Sequence, residues 1–361
     1  KESFLVTFEP KKIGIPEGPA TLRLIARDYS WRGRLSGNQT VVEKPVTIDT
    51  KPPSINIVTR FHNVAQGGAA LVIYDLSEAC PISGVYVGED FYQGQSGFFK
   101  KQQRHMAFFA LRYDQDRGTK LFVQAADAAG NRTVAGIPHH IIKKKFRKDT
   151  VRISDRFLST KMPEFQNDLS QAAQLPPIEV FLKVNRDLRK SNYKKIIGLV
   201  KDTDLEVYWD GVFLRLPNSA RRASFADHRD YLYNKRVIDH QVHLGIDLAS
   251  IAGSQVPAAN KGRVIFADIL GIYGNTVIMD HGFGLFSMYS HLSNTTVEKD
   301  TIVSKGDSIG FTGSTGLAGG DHLHFSMLIH HTFVNPIEWW DASWIENNVS
   351  SKIRDSETNS E

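Results

Sequence analysis

The 361-residue chain contains one cysteine, Cys80, so it can form no intrachain disulfide and no cysteine-ligated zinc knuckle. Any metal it binds must be held by histidine and carboxylate. No apolar run approaches the roughly 18 to 20 residues that cross a bilayer as a helix, and "KESFLVTFEP" is too short and too polar at its ends for a signal sequence. The chain therefore reads as soluble, with any export signal or membrane anchor lying upstream of it. No nucleic-acid-binding motif is present, although the net charge of +5 suits an anionic polymer as partner. The densest basic run, "KKKFRK" at 143–148, reads as a solvated linker.

What is present begins with a repeat. "LIARDYSWRGRLSGNQT" from Leu24 and "VQAADAAGNRT" from Val123 share an apolar strand, then Ala-x-Asp, a turn and Gly-Asn-x-Thr, which sets Asp28 and Asp127 99 residues apart. That is about one immunoglobulin-like β-sandwich, closed by a hairpin whose turn uses the Asp and the Gly-Asn. The paired prolines of "DTKPPSINIV" separate a partial sandwich module at 1–52 from a full one at 53–142. "PPIEVFLKVNRDLRKSNYKKIIGLV" then has Ile178, Phe181, Val184 and Leu188 at helical spacing, which predicts a helical connector over 143–217. Short apolar runs and Gly-rich turns mark a β-rich domain at 218–342, and 343–361 reads as a polar tail. The fold class is mainly β and multidomain.

The β-rich domain holds the chemistry. On a strand, "HLGIDL" directs His243, Gly245 and Asp247 to one face and Leu244, Ile246 and Leu248 to the other. "DHLHFSMLI" puts His322, His324 and Ser326 opposite Leu323, Phe325, Met327 and Ile329, while "LFSMYSHL" aligns Ser287, Tyr289 and His291. Five ligand-type residues on three strands of one domain fit zinc, which accepts His nitrogen and carboxylate oxygen and in catalytic sites takes three protein ligands plus water. Three ligand positions leave two histidines over.

Residues from about 221 to 340 resemble the lysostaphin/LytM-type zinc endopeptidases that cut peptidoglycan. The resemblance rests on His-x-x-x-Asp at 243–247, then Gly253, Val256, Ala258, Gly262 and Val264, then "YGNTVIMDHG", "MYSHLS", "GFTGSTG" and "HLHF" in that order. It implies a LytM-type domain whose antiparallel sheet floors a groove, with Zn2+ on His243, Asp247 and His324 and catalytic roles for His291 and His322. It further implies peptidoglycan stem peptides or cross-bridges as substrate, in the cell envelope, either periplasmic or extracellular. A non-catalytic relative that activates another wall hydrolase is the alternative, although such relatives have lost zinc-site residues and this chain retains all five. The connector's position ahead of the groove predicts that part of 143–217 packs on the catalytic domain and restricts access to it.

Overall fold

Strands β1 (Gly18–Arg27) and β2 (Gln39–Ile48) pair antiparallel over their full length and form a two-stranded hairpin. The computed structural model describes residue 5, residue 7, residues 9–28, residue 30, residues 37–166 and residues 174–358. The part of the first repeat copy at 29 and 31–36 lies outside them. The two copies nevertheless close alike. Asp28 accepts hydrogen bonds from the backbone and side chain of Asn38, and Asp127 accepts the same pair from Asn131. Where a partial sandwich is expected at 1–52, the described residues form this hairpin and a short 3-10 turn at Pro10–Ile13. Leu22, Leu24, Ile25, Val41 and Val42 are exposed, because no second sheet covers them.

The second module has two antiparallel sheets. Its strands are β3 (Ile55–Ile57), β4 (His62–Ala65), β5 (Ala69–Leu76), β6 (Ile82–Val87), β7 (Asp90–Gln93), β8 (Arg104–Ala110), β9 (Leu121–Ala126), β10 (Arg132–Gly136) and β11 (His139–Ile142). One sheet runs β3-β5-β8 and the other β10-β9-β6-β7, with β4 and β11 paired in parallel. Strand β5 reads "AALVIYDL", with Leu71, Val72, Ile73 and Tyr74 all buried, because both of its faces are covered.

The segment expected as a helical connector opens instead with a strand, β12 (Lys148–Arg152), followed by α1 (Asp155–Lys161), α2 (Pro177–Lys183), a π-helical turn at Val184–Leu188 and α3 (Arg189–Leu199). Polar residues alternating with Val151 and Ile153 hide the strand from a composition-based reading. Its ladder is completed by residues 228–232 of the next domain, which pair with it in parallel.

That domain comprises β13 (Ala220–Ala223), β14 (Asp227–Tyr233), β15 (Arg236–His243), β16 (Ile246–Ala249), β17 (Gln255–Pro257), β18 (Gly262–Ile269), β19 (Asn275–Asp280), β20 (Leu285–Leu292), β21 (Asn294–Thr295), β22 (Ile302–Val303), β23 (Ser308–Phe311), β24 (Leu323–Ile329) and β25 (Thr332–Val334). The main sheet runs β13-β16-β24-β20-β19-β18-β22, with β25 beside β24. Two three-stranded sheets, β12-β14-β15 and β17-β23-β21, flank it.

The polar tail expected at 343–361 is, as far as it is described, helical: α4 (Ala342–Ile345), a π turn at Glu346–Ser350 and α5 (Ser351–Thr358). Asp341 caps α4 by accepting from the backbone of Ser343 and Trp344. Val349, Lys352 and Ser356 are buried against the second module, where the Lys352 ammonium donates to the Leu71 carbonyl and Arg104 donates to the Ser356 carbonyl. The few apolar residues of this segment fall on one face, too sparsely to register in its composition.

The second module and the β-rich domain share one core. Phe108 packs on the buried Trp339, Phe98 on Phe283, and the Tyr92 hydroxyl hydrogen-bonds that of Thr332 at 2.8 Å. At this seam the Glu338 carboxylate accepts from the Ala69 N–H at 2.8 Å. Burial pushes the Glu338 carboxyl up from 4.5 to about 8, against the opposing pull of the Ala69 N–H and the Lys144 charge. A pKa raised on folding contributes stability that is fully present below pH 4.5 and lost as pH rises through about 8. Between those values the folded protein should lose up to ~1.4 kcal/mol per pH unit from this group. Glu338→Gln should flatten that slope, as read by denaturant unfolding at pH 5 and pH 8.5; parallel slopes in the two proteins would exclude it.

Candidate metal centre

In the strand register, Asp247 of β16 lies directly opposite His324 of β24. Directly opposed residues point to the same face of a sheet, so the carboxylate and the ring meet, while Ile246, Leu248, Leu323 and Phe325 enter the core. His243 does not share a strand with Asp247, contrary to the expectation from sequence. It ends β15, and the chain turns through Leu244 and Gly245 before β16 begins. Gly245 is required there, because a Cβ would lie 2.6 Å from the His324 ring and from Ser326 Oγ.

Three atoms converge. His243 Nε2 is 2.9 Å from Asp247 Oδ1 and 3.0 Å from His324 Nδ1, and His324 Nδ1 is 2.9 Å from Asp247 Oδ1. The remaining polar atom of each residue is committed outward. His243 Nδ1–H donates to the Ser224 carbonyl, and Arg229 donates to Asp247 Oδ2 at 2.9 Å. Ser326 Oγ donates to the Leu244 carbonyl and so accepts from His324 Nε2–H. The neutral tautomers thus fixed leave two nitrogen lone pairs and a carboxylate oxygen aimed at one point, an arrangement that repels itself unless a cation sits there. Ligands of a tetrahedral zinc with bonds near 2.0 to 2.1 Å stand roughly 3.3 Å apart, close to the spacing seen. The donor set therefore fits zinc.

His291 and His322 border the same space. Simple alternation along β20 would place His291 with Ser287 and Tyr289, on the face where Tyr289 packs against Phe325. The pairing of β19 with β20 shifts between Asn275 and Val277, and His291 takes a left-handed φ of 62°. That bulge turns its ring to the other side, 5.8 Å from the His324 ring and 4.9 Å from that of His322. His291 Nδ1–H donates to the Thr315 carbonyl and His322 Nδ1–H to the Gly320 carbonyl, leaving both Nε2 atoms toward the cluster. His322 Nε2 lies 3.6 Å from Asp247 Oδ1. It precedes β24 and bridges to Gly313, so the glycine-rich loop supplies the carbonyls that orient both rings.

The electrostatics follow from burial and from Asp247. Burial favours the neutral Asp247 carboxyl, yet the facing His243, with His322 and His324, holds it well below the carboxylate range. Burial, then the neighbouring His322 and His324, push His291 well below the usual imidazole value, and burial takes His324 to about 4. His322 is also pushed down by burial, but the nearby Asp247 carboxylate raises it overall.

The cluster opens into a cavity of about 400 Å³, whose walls include Tyr273, Ile272 and Leu317 of the domain and Val151, Phe157 and Phe181 of the connector. Arg229 was not singled out from sequence. Its only sequence signal is alternation with Tyr231 along "HRDYLY", and it became visible once Asp227 of β14 paired with His243.

Residues 241–336 match the family model described as Peptidase family M23. Over 97 residues the chain is 39% identical to DD-carboxypeptidase/endopeptidase Mpg of Neisseria meningitidis, covering 27% of this chain and 22% of that protein. Over 95 residues it is 35% identical to the murein hydrolase activator EnvC of Escherichia coli, covering 26% and 23% respectively. The chain thus spans less than a quarter of the length of these relatives. A solved structure described as a peptidase M23 from Pseudomonas aeruginosa aligns over 77% of this chain and 95% of its own, at 19% identity and a TM-score of 0.48.

Arg229 donates to the Asp247 oxygen that faces away from the cluster, so removing it frees that carboxylate to rotate. Arg229→Leu should weaken zinc binding about 10- to 100-fold, measured by competition with a chromogenic chelator. Unchanged affinity would show that Arg229 does not orient the cluster.

Proposed function

We propose that the chain, whose residues 241–336 match peptidase family M23, is a zinc-dependent endopeptidase that hydrolyses peptide cross-links of bacterial peptidoglycan in the cell envelope. The observation that carries this reading is the convergence of His243, Asp247 and His324 beside two further histidines whose Nε2 atoms face the same cavity. We assign the metal to the first three and catalysis to His291 and His322. When bound, zinc supplies a Lewis acid for the scissile carbonyl and a water acidic enough to attack near neutral pH.

The chain's own residues do the rest. The Thr315 and Gly320 carbonyls keep the Nδ1 proton of His291 and His322, so each Nε2 can exchange a proton with the water or the leaving amine and hydrogen-bond the oxyanion. The buried walls exclude bulk water around that exchange. We read residues 53–142 as an immunoglobulin-like module that, with the hairpin before it, docks or spaces the enzyme within the envelope. The similarity to an activator of murein hydrolases keeps a second reading, a regulator that binds wall hydrolases; retention of all five site residues favours the enzyme.

Five single alanine variants decide between roles. His243→Ala, Asp247→Ala and His324→Ala should lose bound zinc and activity together. His291→Ala and His322→Ala should keep near-stoichiometric zinc while release of peptides from purified sacculi falls by ~10²-fold or more. Zinc lost from His322→Ala but kept in His324→Ala would reverse that pair. Wild-type protein that releases no peptides, yet stimulates a separate hydrolase, would establish the regulator instead.

A further inference from the structure

The connector wall of the cavity is basic. Arg152, at the end of β12, and Arg189, at the start of α3, line it together with Arg229, and Asp247 is the only carboxylate among the described lining residues. Arg229 is already paired with Asp247. Among the described residues neither Arg152 nor Arg189 meets a carboxylate. A cavity of about 400 Å³ has room for a short peptide segment, and an anionic group on that segment would complement its charge.

We propose that this cavity accepts an anionic peptide whose free carboxylate is received by Arg189, which makes the connector a specificity-determining wall of the site. The inference rests on the reading of the cavity as a peptide-hydrolysing site and adds to it the class of peptide taken. Arg189 is held in place. Its Nε donates to the Asn185 carbonyl at 3.1 Å and a terminal nitrogen donates to Asn185 Oδ1 at 2.6 Å. Asn185 is fully buried, and its own amide donates to Asp239 Oδ2 of β15 at 2.7 Å. Asp239, which also pairs with Arg186, thus holds the buried Asn185, and Asn185 in turn orients the Arg189 guanidinium at the cavity wall, where a planar fork so fixed matches a carboxylate.

The helix carrying it is built to the same end. Asn185 lies in the five-residue π turn that interrupts what would be one helix from Pro177 to Leu199. Such turns are rare and concentrate at functional sites, because they spend regular hydrogen bonding to re-aim side chains. Here the turn keeps Phe181, Val184 and Ile196 fully buried while delivering Arg189 to the cavity.

The connector is also fastened to the walls it faces. Asn192 Oδ1 accepts from the Ile272 N–H at 2.9 Å, and Gly271, with φ of 45°, leaves no room for a Cβ beside it. Lys161 donates to the Ser314 carbonyl from the other end. Displacing this element would re-expose Val180, Phe181, Val184, Leu188 and Ile196 together. A cover meant to move aside would not be anchored in this way, so substrate meets the connector in place.

The test compares two synthetic stem-type peptides, identical except that one ends in a free carboxylate and the other in a carboxamide, using the full chain loaded with zinc. Wild-type kcat/KM should favour the acid by about tenfold or more, the scale of one charged hydrogen-bonded contact. Arg189→Gln should collapse the acid-to-amide ratio toward one, Arg189→Lys should restore part of it, and Asn185→Ala, acting on position alone, should reduce it. A merely structural role for Arg189 would lower both rates in proportion and leave the ratio standing, which overturns the proposal. Equal cleavage of both peptides by wild type overturns it as well, while leaving the hydrolase reading intact. Calorimetric binding of the same peptides separates the remaining case. Protein that cleaves neither but binds the acid preferentially through Arg189 loses the hydrolase reading and keeps the carboxylate site. Protein that neither cleaves nor binds either peptide loses both.

Discussion

The direct opposition of Asp247 and His324 across two strands is the constraint on which the site depends. Strand side chains alternate with a period of two, so a slip of one residue in β16 would send Asp247 into the core and Ile246 into the cavity. Ile246, Leu248, Phe325 and Met327 oppose that slip, since each is buried on the other face. The convergence of the candidate metal ligands is therefore held by apolar packing behind it. His243 joins from a separate strand only because Gly245 lets the chain turn against the His324 ring.

Polar satisfaction completes what packing begins. Each of the four histidines around the cavity commits one nitrogen to a carbonyl or hydroxyl, from Ser224, Ser326, Thr315 or Gly320. Tautomers are thereby fixed before any ligand arrives, and the reorganisation that binding would otherwise require is already made. The glycine-rich loop belongs to this scheme through its carbonyls. The sequence marks this stretch only as Gly-rich turns; the loop's backbone in fact orients His291 and His322.

Much of this was legible in the chain and some of it could not be. His-x-x-x-Asp and His-x-His stand on apolar-backed alternation, which survives translation into strands. The strand pattern marked His291 as a ligand-type residue but placed it on the face of Tyr289, and only the family resemblance gave it a catalytic role; a one-residue bulge leaves no mark in hydrophobic periodicity. Asp28 and Asp127 announced the repeat because the same Asp-to-Asn bonding closes both turns. The connector strand, the helical C-terminal segment and the Arg189–Asn185–Asp239 chain escaped notice for one reason: each is specified by partners far away in sequence. Asn185 and Asp239 are separated by 54 residues and look, one by one, like ordinary polar positions.

The C-terminal helix has a mechanical consequence. Having left the main sheet, the chain lies back over β5 and is pinned to the module through Lys352 and Ser356, while Glu338 and Trp339 form another seam nearby. The module and the β-rich domain are thus clasped at two places in parallel, and bending between them would have to open both. A pull applied to the module would reach the sheet that carries the histidine cluster as torque instead of being dissipated at a hinge.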